Sequence, residues 1–231
     1  METLKLAIAL ASAYLIGGIP TAYLAGHLVR GIDIRRYGSG NVGATNAGQH
    51  LGKPYFVLVA VVDMLLKGMG SVLITRALGL ALEAQAMAGL LAAIGHNWSP
   101  YLRFSGGRGL AAIGGALLAL SWQLVPAALA IALVGGWMAR NYALSFGLAV
   151  LLLPLGAVAL GQSPAVVGFT LGAVAVTVLK RLLSNPGSGA PGLSWRRKAL
   201  PRLLFDRDTW EAHDWVHRTP LDMPPSNTDH S

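Results

Sequence analysis

Long apolar runs, separated by short polar loops, occupy the chain from Leu6 to Leu179 and dictate what it can fold into. A backbone in hydrocarbon must satisfy its own hydrogen bonds, so such runs become helices of roughly 17–25 residues. Seven segments reach or approach that length: residues 4–29, 54–78, 80–94, 110–121, 124–139, 142–160 and 164–179. Gly114, Gly115, Ala116, Gly135 and Gly136 carry little or no side chain and suit close helix–helix approach. The expected fold is an all-α polytopic membrane protein of about seven transmembrane helices. Composition agrees, with 54% of the 231 residues hydrophobic and 12% charged, about half the charge of an ordinary soluble domain. The first run exceeds the roughly 7–15 apolar residues of a cleaved signal, and Glu2 opposes a positive leader. It is read as a retained helix.

The cations give the orientation. Arg30, Arg35, Arg36 and Lys53 lie in the first loop, Arg103 and Arg108 in the third and Arg140 in the fifth, while the fourth and sixth loops carry none. From Lys180 onward the chain adds Arg181, Arg196, Arg197, Lys198, Arg202, Arg207 and Arg218. Cytoplasmic loops carry the excess of Lys and Arg. The odd loops and the C-terminus are therefore expected in the cytoplasm and the N-terminus outside, with the chain in the cell inner (plasma) membrane. Lys5 is the one dissenting charge. With no cysteine, disulfides, thiolate metal sites and thiol nucleophiles are excluded.

Function is expected in the cytoplasmic loops. Loop one contains Gly38-Ser39-Gly40-Asn41-Val42-Gly43-Ala44-Thr45-Asn46. Successive amides in such a run can form a concave anion site, and Ser39, Asn41, Thr45 and Asn46 add side-chain donors, with Arg35 and Arg36 just upstream. The same spacing also describes an ordinary tight connection. Loop three contains Gly95-His96-Asn97-Trp98-Ser99-Pro100 and then Ser105-Gly106-Gly107-Arg108-Gly109, ending where a helix begins. A helix N-terminus attracts phosphate, and an Arg beside it holds two phosphate oxygens. The alternatives are a helix-end role for His96 and a positive-inside anchor for Arg108. Asp63 and Lys67 lie four apart on one helix face. They form either a self-satisfied ion pair or part of a polar site inside a span.

The stretches Gly38–Asn46 and Gly95–Gly109, with Tyr14-Leu15-Ile16-Gly17-Gly18-Ile19-Pro20 before them, resemble the signature motifs of the bacterial acyl-phosphate-dependent glycerol-3-phosphate acyltransferases, the PlsY type. The resemblance implies a seven-helix bundle with cytoplasmic anion-binding loops. It also implies transfer of a fatty acyl group from acyl phosphate to the 1-hydroxyl of glycerol 3-phosphate, forming lysophosphatidic acid without metal or cofactor. Carried onto this chain, His96, Arg108 and Asn46 are the expected catalytic residues. Ser39, Gly40, Asn41, Gly43, Thr45, Asn46, Gly106, Gly107, Arg108, Gly109, Asp63 and Lys67 are the expected substrate-binding ones. The expected partners are the two substrates and membrane lipids, not nucleic acid. The chain departs from the family pattern in several places. Gln49 stands where Arg is usual, Arg108 where Lys is usual and Gly18 where Ser is common. One extra residue separates Asp63 from Lys67, and the His, Asn and Glu of the third motif are missing around Ala175–Gly187.

The C-terminal part is expected to form a linker at 184–192 and a basic amphipathic, then disordered, cytoplasmic tail at 193–231, leaving 1–183 as the membrane domain. Trp195 to Phe205 mixes Arg196, Arg197, Lys198 and Arg202 with Leu200, Leu203, Leu204 and Phe205, which suits a short helix on an anionic surface. Asp208 and Glu211 read as a capping box, and His213 and His217 as a solvated pair. A catalytically weak homologue that binds acyl phosphate or phospholipid, and a small transporter, are the alternative functions. A transporter would show internal repeats, and none is evident.

Overall fold

The computed structural model describes residues 1–185, 194–208 and 210. Glu211, His213, His217 and most of the expected linker lie outside the described residues. The first apolar run is divided into α1 (Glu2–Gly18) and α2 (Thr21–Arg30), because Pro20 offers no N–H to continue α1. Loop one then holds a short 3₁₀ turn at Ile34–Arg36 and a helix, α3 (Ala44–Leu51), where the sequence reading placed only a connection. The second run is one rod of three parts: α4 (Lys53–Val62), a π-helical stretch (Asp63–Met69) and α5 (Gly70–Ala77). There follow α6 (Leu82–Asn97), α7 (Leu110–Ser121), α8 (Leu124–Met138), α9 (Tyr142–Ala159), α10 (Pro164–Leu182) and α11 (Trp195–Phe205).

Each of the seven expected runs is helical. Among the described residues, four stretches are long and apolar enough to cross a membrane: Glu2–Arg30, Lys53–Ala77, Tyr142–Ala159 and Pro164–Leu182. Leu110–Ser121 and Leu124–Met138 are apolar but shorter. Leu151, Leu155, Val158 and Leu171 point outward from the bundle, as side chains facing lipid do.

At the centre α6 packs against α1, α5, α7 and α10. Val72, Ala93, Ala112, Ile113, Ala116, Val166 and Phe169 form the buried core between them. Most of these are small, so the packing depends on backbone proximity more than on bulky side chains. A Cβ on Gly115 would lie 1.8 Å from Met64 O, and one on Gly68 1.9 Å from Ala112 O, so α7 and the π-helical stretch touch backbone to backbone. Of the other small residues expected at contacts, Gly136 lies against the Tyr142 ring, whereas a Cβ on Gly114 would meet nothing within 4 Å.

Adjacent glycines therefore predict opposite outcomes. Gly115→Ala is expected to destabilise by about 1–3 kcal/mol through overpacking. Gly114→Ala is expected to be neutral or to stabilise by up to about 1 kcal/mol through helix propensity. Thermal unfolding of the two variants in detergent micelles checks this, and equal effects would contradict the backbone contact.

Candidate functional site

Loop three is shaped by what lies beneath it. A Cβ on Gly107 would fall 2.1 Å from His96 Nε2, one on Gly106 2.2 Å from His96 O, and one on Gly109, at φ +71°, 2.7 Å from Asn97 Oδ1. The Gly-Gly-Arg-Gly run thus lets the loop lie directly on the end of α6. Gly107 N donates to His96 O at 3.0 Å, and Gly106 N donates to Asn185 Oδ1 at 3.1 Å.

Loop one lies against loop three. Val42 N donates to Gly106 O at 3.2 Å, and a Cβ on Gly43 would stand 4.0 Å from Gly107 Cα. Asn46, 2% exposed at the start of α3, directs Nδ2 at Ile34 O, Tyr37 O and Asn41 O, each 3.0–3.1 Å away. Gly40 N donates to Tyr37 O, and Asn41 N to Ser39 Oγ. Several amides of both glycine runs are therefore engaged inside the chain, and the runs are not open amide nests. Free to meet an anion are side chains and the first turn of α7, whose N-cap Gly109 offers no side-chain cap. Thr45 is exposed. Asn41 Oδ1, Asn46 Oδ1 and both ends of the Asn97 carboxamide are buried without a hydrogen-bond partner in the described chain.

Arg35, expected beside the cradle, is turned away from it. Its guanidinium holds Asp33, with Nη2 2.6 Å from Oδ2, and lies over the Tyr23 ring. Burial alone would raise the Asp33 carboxyl, but the Arg35 hydrogen bonds outweigh it and hold it below the ordinary carboxylate range. Arg36 is exposed.

Under loop three lies a buried charge cluster. Lys67 Nζ is 2.6 Å from Asp63 Oδ1, and Thr21 Oγ1 donates to the same oxygen at 2.8 Å. Lys67 Nζ also lies 3.3 Å from His96 Nδ1. An ammonium only donates, so Nδ1 accepts and the ring proton is assigned to Nε2, on the side facing Gly107. The extra residue between Asp63 and Lys67 falls in the π-helical stretch, whose wider turn accommodates it.

Arg108 is already engaged. Its Nε donates to Asp206 Oδ2 at 2.9 Å and its Nη1 to Lys180 O at 2.5 Å. Asp206 follows α11, which is fastened by Arg181 Nη1 to Leu203 O and by Arg202 Nη1 to Leu182 O. Sequence reasoning missed four residues here: Thr21, Lys180, Asn185 and Asp206. In the sequence Lys180 counts among the cytoplasmic tail cations and Asn185 falls within the expected linker at 184–192. Both are buried, at 1% and 5% exposure. The Asn-Pro pair at 185–186, right after the last apolar run, is also the composition of a plain turn, so it gave no signal.

The family model described as glycerol-3-phosphate acyltransferase matches residues 7–186. Glycerol-3-phosphate acyltransferase 5 of Dehalococcoides mccartyi is 35% identical over 223 residues, 90% of this chain and 91% of that one. Glycerol-3-phosphate acyltransferase 1 of Deinococcus radiodurans is 48% identical over 139 residues, covering 60% and 69% of the two chains. Crystal structures of PlsY, an integral membrane glycerol 3-phosphate acyltransferase, match with TM-scores of 0.71 for the glycerol 3-phosphate form and 0.72 for the lysophosphatidic acid form. Both are 26% identical and cover 88% of this chain and 94% of theirs.

The buried pair predicts a non-additive cycle. Lys67→Met or Asp63→Asn alone strands a partner in the interior and is expected to destabilise by about 3–5 kcal/mol. The double variant is expected to lose less than the sum. Unfolding in detergent micelles measures it, and additive small losses would show that the cluster is solvated.

Proposed function

The chain belongs to the glycerol-3-phosphate acyltransferase family, and from that premise we propose how its two loops bring acyl phosphate and glycerol 3-phosphate together. It is a multi-pass membrane enzyme that acylates glycerol 3-phosphate to lysophosphatidic acid. Acyl phosphate, the donor, is a mixed anhydride and needs no protein nucleophile. The glycerol 1-hydroxyl oxygen attacks the acyl carbonyl carbon, an ester bond forms, and the carbon–oxygen bond to phosphate breaks. The departing phosphate takes the hydroxyl proton. What remains for the protein is orientation and charge neutralisation.

The observation that carries this reading is the junction of loops one and three over the Asp63–Lys67–His96 cluster, at the start of α7. Arg108 and the α7 N-terminus hold phosphate, with Gly106, Gly107 and Gly109 keeping the loop low. His96, its Nε2–H toward the loop, steadies the oxyanion of the attacked carbonyl. Ser39, Asn41 and Thr45, set by the Gly40 and Gly43 backbone, receive glycerol 3-phosphate, and Asn46 fixes the shape of loop one. The unpartnered carboxamide oxygens of Asn41 and Asn46 are acceptors that suit glycerol hydroxyls. The loops face the cytoplasm and the enzyme lies in the inner membrane. Residues 1–183 form the membrane unit, and the segment from 193 is a cytoplasmic appendage.

A second reading, a weak homologue that binds acyl phosphate in a regulatory role, draws on two observations. Arg108 is held by Asp206, and Gln49 replaces the usual Arg.

Purified protein given acyl phosphate and glycerol 3-phosphate is expected to release inorganic phosphate only when both are present. Arg108→Ala is expected to lower the rate about 10²–10³-fold, the usual cost of removing one group that stabilises transition-state charge. Arg108→Lys keeps part of the activity, and Gln49→Arg raises it. No release from the parent or from Gln49→Arg would favour the second reading. A reporter fused after Ser231 should be active on the cytoplasmic side, and a periplasmic signal would overturn the orientation.

A further inference from the structure

Lys180 and Asn185 lie at the junction of the two loops and have no part in the chemistry above. The Asn185 carboxamide spans the junction. Its Nδ2 donates to Gly40 O at 3.1 Å in loop one and to Gly106 O at 2.8 Å in loop three, while its Oδ1 accepts from Gly106 N. Lys180 Nζ donates to the same Oδ1 at 2.8 Å and to Asn97 O, and stands 5.2 Å from the Trp98 ring centroid. An ammonium has no acceptor. It therefore accepts only one carboxamide orientation, with oxygen toward Lys180 and nitrogen toward the two loop carbonyls.

We infer that Lys180 and Asn185 are positioning residues for acyl transfer, a clamp that fixes loop one against loop three. This rests on the acyltransferase reading of the junction. The clamped residues sit between the proposed substrate contacts: Gly40 lies between Ser39 and Asn41, and Gly106 is two residues before Arg108. Two separate phosphate-bearing substrates must be brought to reacting distance, so the spacing of the loops sets the rate. A displacement of about 1 Å between reacting groups costs on the order of 10²-fold. Lys180 also ties the clamp to Arg108 of loop three, whose Nη1 donates to its carbonyl.

The test compares Asn185→Ala, the near-isosteric Asn185→Asp, Lys180→Met and Lys180→Arg in the full-length purified protein. Acyl transfer to glycerol 3-phosphate is measured alongside hydrolysis of acyl phosphate by water. Asn185→Asp places an oxygen against Gly40 O and Gly106 O and should disrupt the clamp with little change in shape. The expected result is a fall of roughly 10–100-fold in kcat for transfer, with a smaller change in KM. The ratio of transfer to hydrolysis should fall with it, because loosened loops admit water. Lys180→Met should behave alike, the double variant should be no worse than the poorer single, and Lys180→Arg should restore part of the ratio. A purely structural role would reduce the active fraction and leave KM and the ratio unchanged, which would overturn the inference. An active parent with an unaltered Asn185→Asp would also overturn it. A parent that releases no phosphate overturns the acyltransferase reading of the junction, and this inference with it.

Discussion

The arrangement depends on a charge pair that has no water to rely on. Asp63 and Lys67 are 1% and 2% exposed, and desolvating two charges costs several kcal/mol apiece unless every contact is well made. The contacts come from three parts of the chain. Thr21 in α2 donates to Asp63, His96 in α6 meets Lys67, and the pair itself belongs to the second rod. Satisfying the pair therefore fixes those helices relative to one another and sets the floor on which Gly107 rests. A cluster that only had to hold helices together could be replaced by apolar side chains without loss of stability. That it lies directly beneath the loop junction gives the charge a reason to be there.

Glycine does comparable work by its absence of bulk. Gly17 approaches Ala92 O, Gly95 approaches Tyr14 O, and Gly115 approaches Met64 O, each closer than any side chain would permit. The departure at Gly18 has a local cause of the same kind. A Cβ there would lie 2.7 Å from Pro100 Cδ, and Ser99 Oγ donates to Gly18 O at 2.6 Å. A side chain at position 18 would therefore press on Pro100.

The helices were legible because bilayer-length apolar runs leave the backbone little choice. The runs at 110–121, 124–139 and 142–160 end within one residue of α7, α8 and α9, since polar residues and turns punctuate them cleanly. Thr45 and Asn46 read as loop in the sequence, because the Gly-rich stretch runs straight into an eight-residue helix built mostly of small and polar residues. The motif residues around the site could be named, but not the direction of their hydrogen bonds. Arg35 turns to Asp33, and the Gly106 amide to Asn185. Lys180, Asn185 and Asp206 were hidden for a different reason. Their roles arise from contacts across 72 to 145 residues of sequence separation, and no local pattern encodes those.

The π-helical stretch at Asp63–Met69 has a consequence for the whole second rod. In an α-helix, one added residue rotates everything beyond it by about 100°. That would swing the buried face of α5, with Val72 and Thr75, out of line with Val59 in α4. The wider turn takes up that rotation within two turns, so the rod keeps a single rotational phase from Lys53 to Ala77 while gaining a residue. Removing one of Met64, Leu65 or Leu66 should therefore convert the stretch to regular α-helix and leave both flanking halves facing the neighbours they already have.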